Sequence, residues 1–276
     1  MASTRPDPQT GGLLHALYLL ARPAGFEALE PTHGSVPYAQ GSRRGVAPLC
    51  DVYLPAGSGP HPSVVVVHGG GFVIGNRRMK PVRLIATRLC RAGFAVCAVD
   101  YRLLLRGGGL EAQVEDVTAA ATFWQTECAR FGCDPARISM VGFSAGAALM
   151  ILHAGTSEHT YHRLVSIYGA LDFHQMSGRR AELLLRLVLE TGDRRVWEER
   201  SPSKHANMRS PLLLVHGTKD ELVPVGHATR LHESRIARGL PSEIEIVAGM
   251  PHGWLNDASL PQTEQAISRV VEFLRA

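Results

Sequence analysis

The chain has 276 residues, 45% hydrophobic and 20% charged, with a formal net charge of +4, the balance of a globular protein with a large buried core. Its basic residues are scattered: Arg43-Arg44, Arg77-Arg78 and Arg194-Arg195 are pairs and not runs, so the basic stripe that a nucleic-acid partner requires is missing. The five cysteines, Cys50, Cys90, Cys97, Cys128 and Cys133, are odd in number and have no CxxC spacing, which points to free thiols in a reducing compartment, no metal site and a cytoplasmic location.

The first ten residues, rich in Pro, Ser, Thr and Asp, read as a tail, and Gly12 to Ala21 as a short apolar helix ended by Arg22-Pro23. That apolar stretch is too short for a membrane span and lacks the basic start of a signal peptide. Pro31 to Gly45 is loop-like. Pro48 to Pro55 alternates apolar and polar residues, as a half-buried strand does. After the turn Gly57-Ser58-Gly59-Pro60, strands and helices alternate. The predicted strands are Ser63–His68, Ala95–Asp100, Ile138–Phe143, Leu164–Tyr168, Leu212–His216 and Glu243–Val247. Four are nearly continuous apolar runs, expected where both faces of a parallel sheet are covered. Between them Val82, Ile85 and Leu89, then Val114, Val117, Ala121, Trp124 and Cys128, recur at helical steps, and Ala266, Val270 and Phe273 mark a closing helix. This alternation predicts an α/β fold: an open, mostly parallel sheet with helices on both faces and right-handed crossovers. The interval from Tyr168 to Leu212 has no strand but holds a helical stretch, Ala181 to Leu189, and Trp197. A connection this long suits an insertion that roofs the strands' carboxyl ends; an ordinary crossover helix with a long exit loop is the alternative.

Two glycine-rich segments carry the chemistry. His68-Gly69-Gly70-Gly71 closes the run Val64–Val67, and Gly142-Phe143-Ser144-Ala145-Gly146 stands between a strand and a helical stretch. That context makes the second a nucleophile elbow, with Ser144 at a strained, positive φ and glycines where flanking side chains would collide. A serine hydroxyl needs a base, usually histidine, and the histidine needs a carboxylate to fix its tautomer. There are 13 histidines, and position selects among them, because reactive groups in open α/β sheets cluster at strand carboxyl ends. Asp220 follows the strand Leu212–His216, and His252 follows the strand Glu243–Val247. Glu221 is the rival acid. His216 and His68 read as loop-fixing or core histidines. Arg77 and Arg78 follow the glycine loop, suiting a solvated surface or an acidic substrate.

With His68-Gly69-Gly70-Gly71-Phe72, Gly-Phe-Ser-Ala-Gly and Tyr101-Arg102-Leu103 in this order, the chain resembles the α/β-hydrolases, and within them the hormone-sensitive-lipase-like esterases, bacterial family IV included. The resemblance runs from about Val52 to the C-terminus. It departs at Ala147, where many members have glycine, and at Leu104 to Gly109, which replaces a Pro-rich stretch. It implies an α/β-hydrolase fold with residues 1–45 as tail and cap helix and 46–276 as catalytic domain, a cap insertion lying at about 172–208. The N-terminal helix and the insertion together would form a small cap. Carried over, Ser144 is the nucleophile, His252 the general acid/base and Asp220 its orienting carboxylate. The backbone amides of Gly70, Gly71 and Ala145 form the oxyanion hole. Phe72, Tyr101, Phe143 and Trp254 are pocket candidates or packing residues. The expected activity is that of a serine carboxylesterase on short-chain acyl esters, acting through an acyl-enzyme without cofactor or metal. Its partner is a small-molecule ester, with no nucleic acid and no membrane span; a homodimer is compatible with the chain. An amidase, formamidase, peptidase or sugar deacetylase would use the same triad, and a non-catalytic ligand-binding homologue is the reading from another class.

Overall fold

The computed structural model describes residues 25–40 and 48–276; the predicted helix over Gly12–Ala21, and with it the N-terminal half of the expected cap, lies outside them. Eight strands of the described residues form one sheet: β1 (His33–Pro37), β2 (Leu49–Tyr53), β3 (His61–Val67), β4 (Ala95–Val99), β5 (Cys133–Phe143), β6 (Leu164–Ile167), β7 (Leu212–Gly217) and β8 (Ser242–Val247). Their order is β1-β2-β4-β3-β5-β6-β7-β8. The first two pairings, β1 with β2 and β2 with β4, are antiparallel; the remainder are parallel.

The valine run of β3 shows why the central strands are apolar throughout. Val65 and Val67 point into a core packed by α2 (Leu110–Glu127) and α3 (Ala145–Thr156). Val64 and Val66 point the other way, into a second core under α1 (Lys80–Arg91) and the closing helix α8 (Pro261–Arg275). Successive side chains alternate faces, and helices cover both, so neither face tolerates a polar repeat. The helical patterns around Val82, Val114 and Ala266 correspond to α1, α2 and α8. The forty-odd residues between β6 and β7 contain α4 (Arg179–Val188), α5 (Arg194–Glu199) and α6 (Pro202–His205), and α7 (Gly226–Ala237) joins β7 to β8.

Two sequence expectations need correction. The loop-like stretch Pro31–Gly45 contains β1, whose HGSVP sequence has little strand propensity. Pairing with β2 forms this strand, together with the Asp51 carboxylate accepting from the Ser35 amide at 2.7 Å. Strand β2 is not half-buried: from Cys50 to Tyr53 every residue is buried. Its polar Asp51 is tolerated because Arg77 Nε and Arg78 Nε lie 2.9 and 2.5 Å from its oxygens. Arg77 also pairs with Asp100 and is 9% exposed. It is therefore a buried strut between β2 and the end of β4, not a surface or substrate-binding residue. With charges this far out of water, losing one partner strands the other.

A second buried polar group, His153 on α3, lies between the Thr118 hydroxyl at 2.9 Å and the Tyr161 hydroxyl at 2.5 Å. Burial, with some help from His159, lowers its pKa from 6.5 to about 4. Burial likewise lowers His227 to about 4. A histidine depressed in the folded state takes up its proton more readily when unfolded, so it costs stability once the pH falls below the unfolded value. Urea unfolding is therefore expected to show stability falling as the pH drops from 6.5 towards 4, by roughly 3 kcal/mol per histidine. The variant His153→Gln, which keeps a hydrogen-bonding group but cannot titrate, is expected to show a shallower slope over that window.

Candidate active site

Ser144 sits between β5 and α3 with φ +49°, a conformation costing a non-glycine residue about 1–2 kcal/mol. Backbone bonds hold it there. Its amide donates to the Ile167 carbonyl at 3.0 Å, and its own carbonyl accepts from Ala147 at 3.1 Å and Ala170 at 3.3 Å. The flanking glycines are there for space. A Cβ on Gly142 would lie 2.5 Å from the Ala147 Cα, and one on Gly146 would lie 2.2 Å from the His68 carbonyl oxygen. The first turn of α3 thus rests directly on the end of β3.

The Ser144 hydroxyl is 2.9 Å from His252 Nε2, and His252 Nδ1 is 2.7 Å from Asp220 Oδ2. The other carboxylate oxygen, Oδ1, accepts from the amides of Val223 at 2.8 Å and Leu222 at 3.1 Å. Asp220 and His252 lie just past β7 and β8, so neighbouring strand ends bring them together. Glu221 is exposed and takes no part. Burial pushes the Asp220 carboxyl up, but attraction to His252 and hydrogen bonds from His216 and His252 outweigh it and hold it well below the usual carboxylate range. The residue that sequence reasoning undervalued is His216. It is 1% exposed, donates from Nε2 to the Val223 carbonyl at 2.8 Å, and brings the same nitrogen to 3.3 Å from Asp220 Oδ2. Its signal was available: it closes the predicted strand Leu212–His216, four residues before the acid.

The glycine loop lies beside the serine. A Cβ on Gly70, at φ +123°, would meet the Ile74 carbonyl oxygen at 1.8 Å, and Gly71 has φ +59°. Neither amide donates to any described residue, and that of Ala145, as the first of α3, has no intrahelical acceptor. Behind the loop, Tyr101 stacks on His68 at 4.1 Å and donates to its carbonyl at 3.0 Å. Burial lowers the His68 pKa, and its Nδ1 donates to the Gly69 carbonyl at 2.7 Å.

Over Ser144 and His252 opens a cavity of about 410 Å³, lined by Gly69 to Phe72, Phe143, Ala145 and Tyr168, and roofed by residues of the β6–β7 interval such as Phe173, Met176, Leu184 and Leu185. Of the aromatic pocket candidates, Phe72 and Phe143 line it. Tyr101 and Trp254 do not: Tyr101 braces His68, and Trp254 is 0% exposed with its ring 5.1 Å from Tyr168. Tyr168, which does line the cavity, presents its ring 5.0 Å from that of His252. It ends the predicted strand Leu164–Tyr168, and the strand-end rule that found Asp220 and His252 would have included it.

The family model BD-FAE matches residues 50–234. The chain belongs to the BD-FAE family. Among curated proteins, Esterase LipC of Mycobacterium tuberculosis is 27% identical over 234 residues, covering 76% of this chain and 57% of the relative. Isoprenylcysteine alpha-carbonyl methylesterase ICME of Arabidopsis thaliana is 26% identical over 231 residues, 73% of this chain and 53% of that one. The chain thus spans a little over half the length of these relatives. A truncated carbohydrate esterase from gut microbiota superimposes with TM-score 0.77 at 21% identity, over 90% of this chain and 98% of that one. The butyrate-bound esterase 2 of Thermogutta terrifontis gives 0.72 at 23% identity, over 89% and 94%. These likenesses show the α/β-hydrolase fold.

In this BD-FAE chain the contact at Gly146 involves backbone on both sides, with no flexible group to yield. Gly146→Ala is expected to cost at least about 2 kcal/mol in chemical denaturation, beyond the fraction of a kcal/mol by which alanine usually favours a helix. Gly239→Ala, where no atom lies within 4 Å of the added carbon but φ is +68°, is expected to cost about 1 kcal/mol from backbone strain alone.

Proposed function

We propose that this chain is a serine carboxylesterase that hydrolyses short-chain acyl esters through an acyl-enzyme intermediate. The observation that carries the reading is the continuous hydrogen-bonded line Ser144–His252–Asp220, 2.9 and 2.7 Å long, opening into an apolar cavity beside unspent backbone amides. In this reading His252 Nε2 takes the Ser144 proton as the hydroxyl oxygen attacks the ester carbonyl. Asp220 keeps the His252 Nδ1–H in place and stabilises the imidazolium that forms. Charge developing on the carbonyl oxygen is met by the amides of Gly70, Gly71 and Ala145, the last at the positive end of α3. His252 then gives its proton to the departing alcohol. In the second half it takes a proton from water, whose oxygen attacks the acyl-serine; collapse returns the proton to Ser144 and frees the acid.

The short-chain preference is supported by the cavity, about 410 Å³ and closed above by α4, and by the propionate- and butyrate-bound forms of the Thermogutta esterase. Within the α/β-hydrolases we place the chain nearest the hormone-sensitive-lipase-like esterases, on His68-Gly69-Gly70-Gly71-Phe72 and the elbow sequence. The catalytic unit would be residues 46–276, with the β6–β7 interval as cap.

Hydrolysis of p-nitrophenyl butyrate tests the reading. Ser144→Ala is expected to lower kcat/KM by at least about 10³-fold and to abolish labelling by a fluorophosphonate probe, and Asp220→Asn to lower kcat by about 10⁴-fold. Ester hydrolysis at the parent rate by Ser144→Ala would sink it.

A further inference from the structure

Among the described residues the cavity wall carries a single permanent cation. Arg180, Ala181, Leu184 and Leu185 of α4 all line it, a spacing that puts them along one face of the helix. Leu183 and Leu187, on the flank next to Arg180, are 60% and 52% exposed, so Arg180 stands where the lining face meets the solvent. Along the inward stripe exposure falls steadily: Arg180 is exposed, Ala181 and Leu184 are intermediate, and Leu185 is buried. The first turn of α4 therefore stands at the solvent-facing edge of the cavity wall and its second half deeper along that wall. Among the described residues no carboxylate lines the cavity and none pairs with Arg180. The neighbouring acids are engaged elsewhere. Glu182 faces Arg194 at 3.8 Å, and Asp220 is held by His252 and His216.

We propose that Arg180 makes this site selective for esters that carry an anionic group, a carboxylate above all, at the end remote from the scissile bond. The proposal rests on the Ser144 hydrolase reading and adds the substrate class. An apolar wall accepts the uncharged part of such a molecule beside Ser144, leaving its anionic end at the mouth in reach of water. There a guanidinium, which never loses its charge, offers a forked pair of donors matched to a carboxylate. A neutral ester of the same length gains nothing from Arg180. With no acid among the described lining residues, the anion meets no repulsion from them. The carboxylate can reside on the acyl chain or on the alcohol, since either presents it at the mouth.

The experiment compares kcat/KM for matched pairs. The acyl-side pair is monomethyl adipate against methyl hexanoate. The alcohol-side pair is 4-acetoxybenzoate against 4-acetoxybenzamide. Each is followed by pH-stat in the parent protein and in Arg180→Lys, Arg180→Gln and Arg180→Glu, with Ser144→Ala as blank. The parent is expected to favour the anion in at least one pair. In that pair the anion-to-neutral ratio should fall about three- to ten-fold in Arg180→Gln, as for one charge pair near water. It should fall further in Arg180→Glu and be largely kept in Arg180→Lys. Salt at about 0.5 M should shrink the parent's ratio and leave that of Arg180→Gln unchanged. Because each ratio is internal to one variant, partial misfolding cancels from it. A ratio that moves less than about two-fold between parent and Arg180→Glu, in both pairs, overturns the proposal while leaving the hydrolase reading intact. Absence of any Ser144-dependent hydrolysis overturns both.

Discussion

The site depends on a close approach of backbone to backbone. With no Cβ at position 146, the first turn of α3 comes down on the Val67 and His68 carbonyls, which a Cβ would meet at 2.4 and 2.2 Å. That contact sets the distance between two segments far apart in sequence, the glycine loop after β3 and the serine after β5. These strands are neighbours in the sheet, their registers running from Ser63 with Ile138 to Val67 with Gly142, so their ends are already side by side. The missing side chain lets them close the last few ångströms. Strain at Ser144 is a consequence of the same turn, and the bonds from Ser144 to Ile167 and from Ala170 to Ser144 keep it from relaxing.

The glycine loop needs stiffening of its own, because residues free to adopt positive φ are also free to leave it. Four hydrogen bonds supply this. Tyr101 donates to the His68 carbonyl at 3.0 Å, Leu104 and Gln113 donate to the Phe72 carbonyl at 2.9 and 3.0 Å, and the Arg77 amide donates to Asp100 at 2.7 Å. All four partners come from the chain after β4 or from α2. The loop is therefore pinned at its start, middle and end by the segment that follows the adjacent strand. Donors fixed in advance stabilise a developing charge without reorganising when it appears. Buried Arg77, costly as a desolvated charge, is repaid in geometry: it ties the end of this loop to both β2 and β4.

How much of this was legible in the sequence follows from which forces are local. The buried parallel strands were, because a two-sided apolar run records its surroundings in its own composition. So were the elbow and the two partners of Ser144, because strand ends are where side chains of different strands can meet. Strand β1 was not: little in HGSVP favours extension, and its partners lie 12 residues or more further along. Arg77 was read as surface because its carboxylates, Asp51 and Asp100, belong to strands whose adjacency is decided by strand order, which local pattern does not encode. The same holds for Tyr101 and Trp254. An aromatic residue near a motif faces either the cavity or the layer behind it, and only the packed fold decides which. His216 was set aside as a core histidine, and it is buried, but its Nε2 also reaches the acid, a second role that its place four residues before Asp220 could have suggested.

The interval between β6 and β7 is fixed to the sheet at both of its ends by one helix, α7. At the entry, the amides of Leu171 and Asp172 donate to His227 Nδ1 at 3.2 and 3.1 Å. At the exit, Arg235 donates to the carbonyls of Ala206 at 2.8 Å and Ser210 at 2.9 Å, with Pro241 at 3.0 Å beside them. His227 and Arg235 are eight residues apart, and so share a face of α7. Between those anchors Phe173, Val188, Leu189 and Trp197 pack into the core that also holds Val65 and Val67, and it is there that Met176, Arg180, Leu184 and Leu185 line the cavity. The strand ends fix Ser144, Asp220 and His252, while the shape and charge beside them reside on a segment whose exposed positions, Arg180 and Leu183 among them, lie outside that core. Such an arrangement lets one hydrolase scaffold alter what it admits while keeping the geometry at Ser144 fixed.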